Sequence, residues 1–394
     1  VRHLVGLLAL LCPVGLGAAD LESIGIVGDS VSTGALTGKG FTATSGALVG
    51  HTVRGHLEMA APFATPGNTP VYDAYADPAA FNIRRPIWPP TRLWMSHGEP
   101  PDVSRSTGSD RLRTMIIDTE QYSWGYLLGR KLGVLPRHIY LAARHGSGAR
   151  NLQYQFAALQ MRAPAMPAVL PGHQPELVLV MMNLYETCDF PAGLEQDPHY
   201  RRAFLDTYAQ EFLGGFVTAL EQIAPHPKGT AIVVLSPVNL LQTSRRDDLL
   251  DRRVRYEDAE VTCRDIRSGE LRPLRWMGRD LFDMSNICRG VLGIPWHAGE
   301  RLDAIESLAR EMADIQRRVT LELAAHPPEG TRIAFIEETA SIRFEAEDFV
   351  DDCWHPSLRG AEKIARTTHK ALEEKGIMST LTPPAAPPGR ASRP

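Results

Sequence analysis

Leu177-Val178-Leu179-Val180-Met181-Met182 is apolar at every position and runs into Asn183. A strand with one face in water alternates apolar and polar residues, so an unbroken apolar run reads as a strand covered on both sides, as in parallel sheets. Four more runs of this kind, each bounded by turn residues, stand at Ile24 to Val27, His138 to Ala142, Ala231 to Leu235 and Arg332 to Ile336. Between the runs, apolar residues fall at three-to-four spacing over Tyr122 to Leu132, Asn151 to Met161, Arg201 to Ile223, Leu302 to Leu323 and Leu358 to Leu372. Strand and helix in alternation predict an α/β fold, a three-layer α/β/α sandwich around a central five-stranded parallel sheet. Ligands on such sheets collect at the carboxyl ends of the strands, so the loops that follow each run are where chemistry is expected.

The chain has 394 residues, of which 43% are hydrophobic and 22% charged, enough apolar surface for a sizeable core. A formal charge of -4 gives no basic footprint, which argues against nucleic acid as a partner. Val1-Arg2-His3, the apolar Leu4 to Leu16 and Gly17-Ala18-Ala19 have the order of a signal peptide over residues 1–19, cleaved before Asp20. Its apolar run is shorter than the roughly 20 residues that span a bilayer. A secreted or periplasmic protein is therefore expected. Residues 20–378 read as a single domain, with an insertion at about 52–118 rich in proline and aromatics, Trp88 and Trp94 among them. Such a long irregular stretch suits an ordered cover near a site. The Pro- and Ala-rich tail, 379–394, has almost nothing to bury and should be disordered. Without the leader, Cys188, Cys263, Cys288 and Cys353 remain, an even number that export can oxidise in any of three pairings, and none has zinc-ligand spacing.

Ile24-Gly25-Ile26-Val27-Gly28-Asp29-Ser30 places a hydroxyl just past the first strand, where Gly28 lets the chain turn sharply. Taken alone the tripeptide is weak, because Ser30 can equally cap the next helix. Near the other end, Asp351-Asp352-Cys353-Trp354-His355-Pro356-Ser357 sets a carboxylate three residues before an imidazole, on a loop that leads into the last helix. A serine hydroxyl is a poor nucleophile until an imidazole takes its proton, and the imidazole works best when a carboxylate fixes its tautomer. Ser30, His355 and Asp352 meet that need. Acyl transfer also builds negative charge on a carbonyl oxygen, which calls for preorganised donors. The N–H groups of Ser30 and Gly148, in Ser147-Gly148-Ala149-Arg150-Asn151, and the side-chain amide of Asn183 are the expected donors, each in a loop at the same sheet end.

Gly28-Asp29-Ser30, Gly148, Asn183 and Asp352-x-x-His355 resemble the four blocks of the GDSL, or SGNH, hydrolase superfamily. Ser147-Gly148-Ala149, Val238-Asn239-Leu240, Cys288 before a long helix and Asp352-Cys353-Trp354-His355 resemble its phospholipase B-like branch. The resemblance covers roughly residues 23 to 375, strong in the blocks and thin between them. It implies a flavodoxin-like sheet, no metal or organic cofactor, and Ser30, Asp352 and His355 as a triad. It also implies a secreted serine esterase or lipase acting on phospholipid or other lipid-like acyl esters, in transient contact with a membrane surface and without an obligate protein partner. The same blocks serve carbohydrate O-acyl (acetyl) esterases, and a non-catalytic protein that holds an envelope glycan or lipid in the cleft is a third reading. Where the family's third block usually has Gly-x-Asn-Asp, this chain has Met181-Met182-Asn183-Leu184. If Asn183 and His355 converge, Cys188 and Cys353 lie five and two residues from the site. Proximity then pairs Cys188 with Cys353, and Cys263 with Cys288.

Overall fold

The computed structural model describes residues 21–33, 123–135, 138–143, 147–161, 173–183, 186–187, 190, 193–256, 259–268, 274–276, 279–282, 291, 298–350 and 353–377. The leader, the 52–118 insertion, the 379–394 tail, Cys188, Cys288 and Asp352 lie outside these residues.

β1 (Ile24–Gly28) turns directly into the short α1 (Ser30–Thr33). Next come α2 (Trp124–Lys131), β2 (Ile139–Leu141), a 3-10 turn (Ala149–Asn151), α3 (Leu152–Met161) and β3 (Leu177–Met181). α4 (Pro198–Glu221) precedes β4 (Thr230–Leu235). After a 3-10 turn at Leu240–Ser244 follow α5 (Asp247–Leu250), β5 (Arg253–Tyr256), β6 (Ala259–Thr262) and α6 (Cys263–Ser268). β7 (Leu274–Trp276), β8 (Arg279–Phe282), α7 (Gly299–Ala325), β9 (Thr331–Ile336) and α8 (Leu358–Glu374) complete the order.

The five apolar runs are the five strands of one parallel sheet, in the order β2-β1-β3-β4-β9. Every residue of β1, β3 and β4 is buried, which is why none of them shows a polar alternation. Even side chains and odd side chains feed separate cores. One face packs Val178, Val180, Ile232 and Val234 against Phe156, Phe212, Phe216, Leu308 and Met312 of α3, α4 and α7. The other packs Leu177, Leu179, Ala231 and Val233 against Trp124 and Leu128 of α2 and Ile364, Ala365 and Leu372 of α8. Helices therefore cover both faces of the sheet.

The helix boundaries have local causes. α4 starts at Pro198, three residues before the apolar spacing suggests, because Asp197 caps it: the carboxylate accepts the N–H groups of His199 and Tyr200 at 2.9 and 3.1 Å, and proline suits the first turn. Ser357 caps α8 by accepting the Gly360 N–H at 3.3 Å, and Gly376, at φ +64°, follows its end. The hairpin β5-β6, the pair β7-β8 and α5 and α6 are too short to show a period, so the stretch between β4 and α7 carries structure the sequence reading leaves blank.

Sheet order decides where a ligand can sit. The chain passes from β1 to β2 on one side and then to β3 on the other, so the helices after β1 and after β2 leave on opposite faces. The connection reverses between β1 and β3, and the carboxyl ends of such a strand pair are the usual ligand position in open α/β sheets. Ser30 follows β1 and Asn183 follows β3.

Candidate functional site

The turn at the end of β1 is built around Gly28. Its φ is +156°, and a Cβ there would stand 2.3 Å from the Met181 carbonyl and from Ser32 Oγ, so no larger residue fits. β2 pairs with β1 as far as Ile26–Leu141, and among the described residues the Gly28 peptide has no strand neighbour on that side. The buried Gln155 of α3 takes the strand's place: its Oε1 accepts the Gly28 N–H at 2.7 Å and its Nε2 donates to the Gly28 carbonyl at 3.0 Å. Ser32 Oγ donates to Met181 O at 3.1 Å and ties α1 to β3. Ser30 is thus presented, half-buried, from a turn fixed on both sides.

His355 comes from the opposite end of the chain and stands with Nε2 3.0 Å from Ser30 Oγ. The two are 325 residues apart in sequence, and His355 is only 4% exposed. Its loop is a tight reversal: Phe349 and Pro356 form an isolated antiparallel bridge, and the Val350 N–H donates to the His355 carbonyl at 2.9 Å. The expected alcohol–imidazole pair is therefore in contact, with the distance that proton transfer requires. Asp352, the expected third member, lies outside the described residues.

Asp29 holds Asn183, one of the expected oxyanion donors. Its carboxylate accepts the Asn183 N–H at 2.7 Å, the Asn183 side-chain amide at 3.1 Å and the Val31 N–H at 3.1 Å. Val238 N–H donates to Asn183 Oδ1 at 3.0 Å, which settles which end of that amide is oxygen. Nδ2 carries two N–H groups and spends one on Asp29. Burial raises the Asp29 carboxyl above the ordinary carboxylate range, while the Asn183 and Val31 donors and the charge of His355 pull it down. Reading the tripeptide only as a presenter of Ser30 overlooks this carboxylate. Its signal is a buried Asp at one strand end facing an Asn at the neighbouring one.

Gly148 is in the site's neighbourhood but differently engaged. Its N–H donates to Asn151 Oδ1 at 2.9 Å, inside its own turn, and so already has an acceptor, as one N–H of the Asn183 amide has in Asp29. The Gly148-x-x-Asn151 spacing could have shown this. Against the turn lies Glu186, whose Oε1 accepts the Ala149 N–H at 2.5 Å and would be 2.5 Å from a Cβ at Gly148.

The Glu186 residue as a whole is only partly buried, yet Oε2 is shut off from solvent and has no hydrogen-bond partner among the described residues. Burial, with help from the charges of Glu211 and Asp29, pushes this carboxyl up to about 7 from 4.5, against the pull of the Ala149 N–H. An acid raised on folding binds its proton more tightly folded than unfolded, so its contribution to stability falls as pH rises from about 4.5 to about 7 and stays low above that. Glu186→Gln keeps an oxygen for Ala149 and removes the buried charge. At pH 8 it should stabilise the protein by up to about 3 kcal/mol, the shift converted at about 1.4 kcal/mol per unit, with the gain shrinking toward zero near pH 4.5. Urea melts at the two pH values check this; a gain independent of pH would contradict it.

The expected disulfide pairing is wrong for Cys353. Cys263, at the start of α6, is bonded to Cys353, with 5.7 Å between their Cα atoms. Proximity in sequence to Asn183 suggested Cys188, but the segment after β4 folds back over the His355 loop and delivers Cys263 there. The other half of that expectation, Cys263 with Cys288, falls with it.

Among the described residues, Glu22, Glu176 and His226 put one potential metal-ligand atom each within 4.8 Å of one another. They precede β1, β3 and β4 and so lie at the end of the sheet away from Ser30. Lys228 already occupies the cluster, its Nζ 2.6 Å from Glu22 and 3.5 Å from Glu176. Its N–H also donates to His226 Nδ1 at 3.3 Å. The cluster works as an ion-pair closure of the sheet's lower end. Among the described residues, no helix is long and apolar enough to cross a membrane. Comparison with known proteins finds no family model that matches the chain and no matching curated relative.

Proposed function

We propose that the chain is a serine ester hydrolase of the GDSL/SGNH kind, closest to the phospholipase B-like branch, with a flavodoxin-like sheet. The observation that carries this reading is the 3.0 Å contact between His355 Nε2 and Ser30 Oγ at the carboxyl end of β1, where the strand order reverses toward β3. A neutral imidazole at that distance accepts the hydroxyl proton as Oγ attacks an ester carbonyl. The tetrahedral oxygen then carries negative charge, and the second N–H of the Asn183 amide and the N–H of Ser30 are the donors assigned to hold it. Gly148 joins them by sharing its proton between Asn151 and the oxyanion. Protonated His355 returns the proton to the departing alcohol, and water, deprotonated by the same imidazole, releases the acyl group from Ser30. Asp352 would fix the tautomer of His355.

Phospholipid or other lipid-like acyl esters are the proposed substrates, met at a membrane surface only transiently, with carbohydrate acetyl esters as the alternative on the same site. Secretion or a periplasmic location is part of the proposal, and the Cys263–Cys353 bond supports it, because disulfides persist in oxidising compartments. Initial rates on p-nitrophenyl acyl esters, phospholipid vesicles and acetylated sugars test the reading. Turnover of the first two, lost in Ser30→Ala, is expected. Turnover of acetylated sugars alone would favour the carbohydrate reading, and no hydrolysis of any class would overturn the enzyme.

A further inference from the structure

His355 is carried by a loop, and the stretch from the end of β4 through α6 grips that loop along its length. Thr339 Oγ1 donates to the Ser236 carbonyl at 2.5 Å, and Gln242 donates to Ile342 O at 3.2 Å and accepts the Phe344 N–H at 3.0 Å. Arg252 Nη1 donates to Val350 O at 2.7 Å. The grip is tightest at Cys353, two residues before the imidazole. Cys353 has φ +59°, a conformation that residues other than glycine rarely adopt and that persists only where the surroundings impose it. All three of its groups are held: the N–H donates to Val350 O at 3.0 Å, the sulfur is bonded to Cys263, and the carbonyl accepts Arg267 Nη2 at 3.1 Å.

Arg267 is the unusual member. It is 2% exposed, and burying a guanidinium is costly unless its donors are used. The same Nη2 donates to Thr243 Oγ1 at 2.7 Å, in the turn that follows β4, and the guanidinium carbon lies 5.5 Å from the centre of the Trp354 ring. One planar cation therefore joins the β4 side of the sheet to both residues that immediately precede His355. A lysine, a point charge without a plane, cannot meet a carbonyl, a hydroxyl and a ring face in this way.

We propose that Arg267 is a positioning residue for His355, acting through Cys353 and Trp354 together with the Cys263–Cys353 bond. The assignment rests on the serine-hydrolase reading above. Removing the guanidinium lets the loop drift, and an ångström of drift at the imidazole costs turnover, by about 10²-fold, rather than substrate affinity. Arg267→Ala is therefore expected to lose that factor in kcat with KM little changed, and added guanidinium chloride at millimolar concentration, filling the vacated space, should restore part of it. Arg267→Lys should stay low.

Should Arg267→Ala fail to fold, the wild-type protein supplies the second test. Dithiothreitol reduces the Cys263–Cys353 bond to two thiols and is itself oxidised to its cyclic disulfide; uptake of a fluorophosphonate at Ser30 should slow by at least tenfold and recover on reoxidation. Unchanged kcat in Arg267→Ala, a loss that appears in KM alone, or fluorophosphonate uptake indifferent to complete reduction would each overturn the assignment. A wild-type protein that hydrolyses esters and takes up the phosphonate while failing those tests would leave the hydrolase reading intact. A wild-type protein that does neither would overturn both.

Discussion

Replacing His355 by alanine should lower kcat on an acyl ester by about 10⁶-fold, and Ser30→Ala should cost about the same, with the double variant no worse than either. The non-additivity is the informative part. With Nε2 at 3.0 Å, the imidazole and the hydroxyl act as one device: without the base the hydroxyl keeps its proton, and without the hydroxyl the base has nothing to activate. Ser30 is half-buried and its loss should barely move the melting temperature, whereas His355 is almost fully buried and its truncation should lower it modestly. Steady-state rates on the three variants, with melting curves at the assay pH, check both parts. Independent effects that multiply in the double variant would mean that the two groups do not work together.

Asn183→Ala should lower kcat by about 10² to 10³ through loss of an oxyanion donor. It should also destabilise the fold by about 2 to 4 kcal/mol, because it strips a donor from the buried Asp29 carboxylate and leaves the Val238 N–H without its acceptor. The two effects separate experimentally. Cooling well below the melting temperature restores the folded population but not the missing donor, so kcat per folded molecule should remain low. A variant that melts early yet turns over within about threefold of wild type would make Asn183 a strut for Asp29 and remove it from the chemistry, since loss of an oxyanion donor costs far more than that.

The sheet was legible because its strands are buried on both faces, and a run such as Leu177 to Met181 carries that fact residue by residue. Ser30 and His355 are legible for a related reason: one follows a strand end and the other precedes a capped helix, landmarks that local pattern reveals. What the pattern could not reveal is contact between distant short elements. Arg267 and Cys263 sit in a helix of six residues, with no period of its own, and what they hold is 86 to 90 residues further on. The expected cysteine pairing fails on this account, since nearness in sequence to Asn183 does not reveal the path that brings Cys263 to Cys353. Gly148 shows the opposite case, a contact that is local and legible. Its N–H finds an acceptor in Asn151, three residues away in the same turn, a spacing that the sequence itself displays.

The most direct measurement is mass-spectrometric mapping of the intact protein after exposure to a fluorophosphonate. One adduct per chain, on Ser30, formed in wild type and all but absent in His355→Ala, is the predicted result. No adduct, an adduct on another residue, or equal labelling with and without His355 would contradict the pairing of Ser30 with His355 as an activated nucleophile.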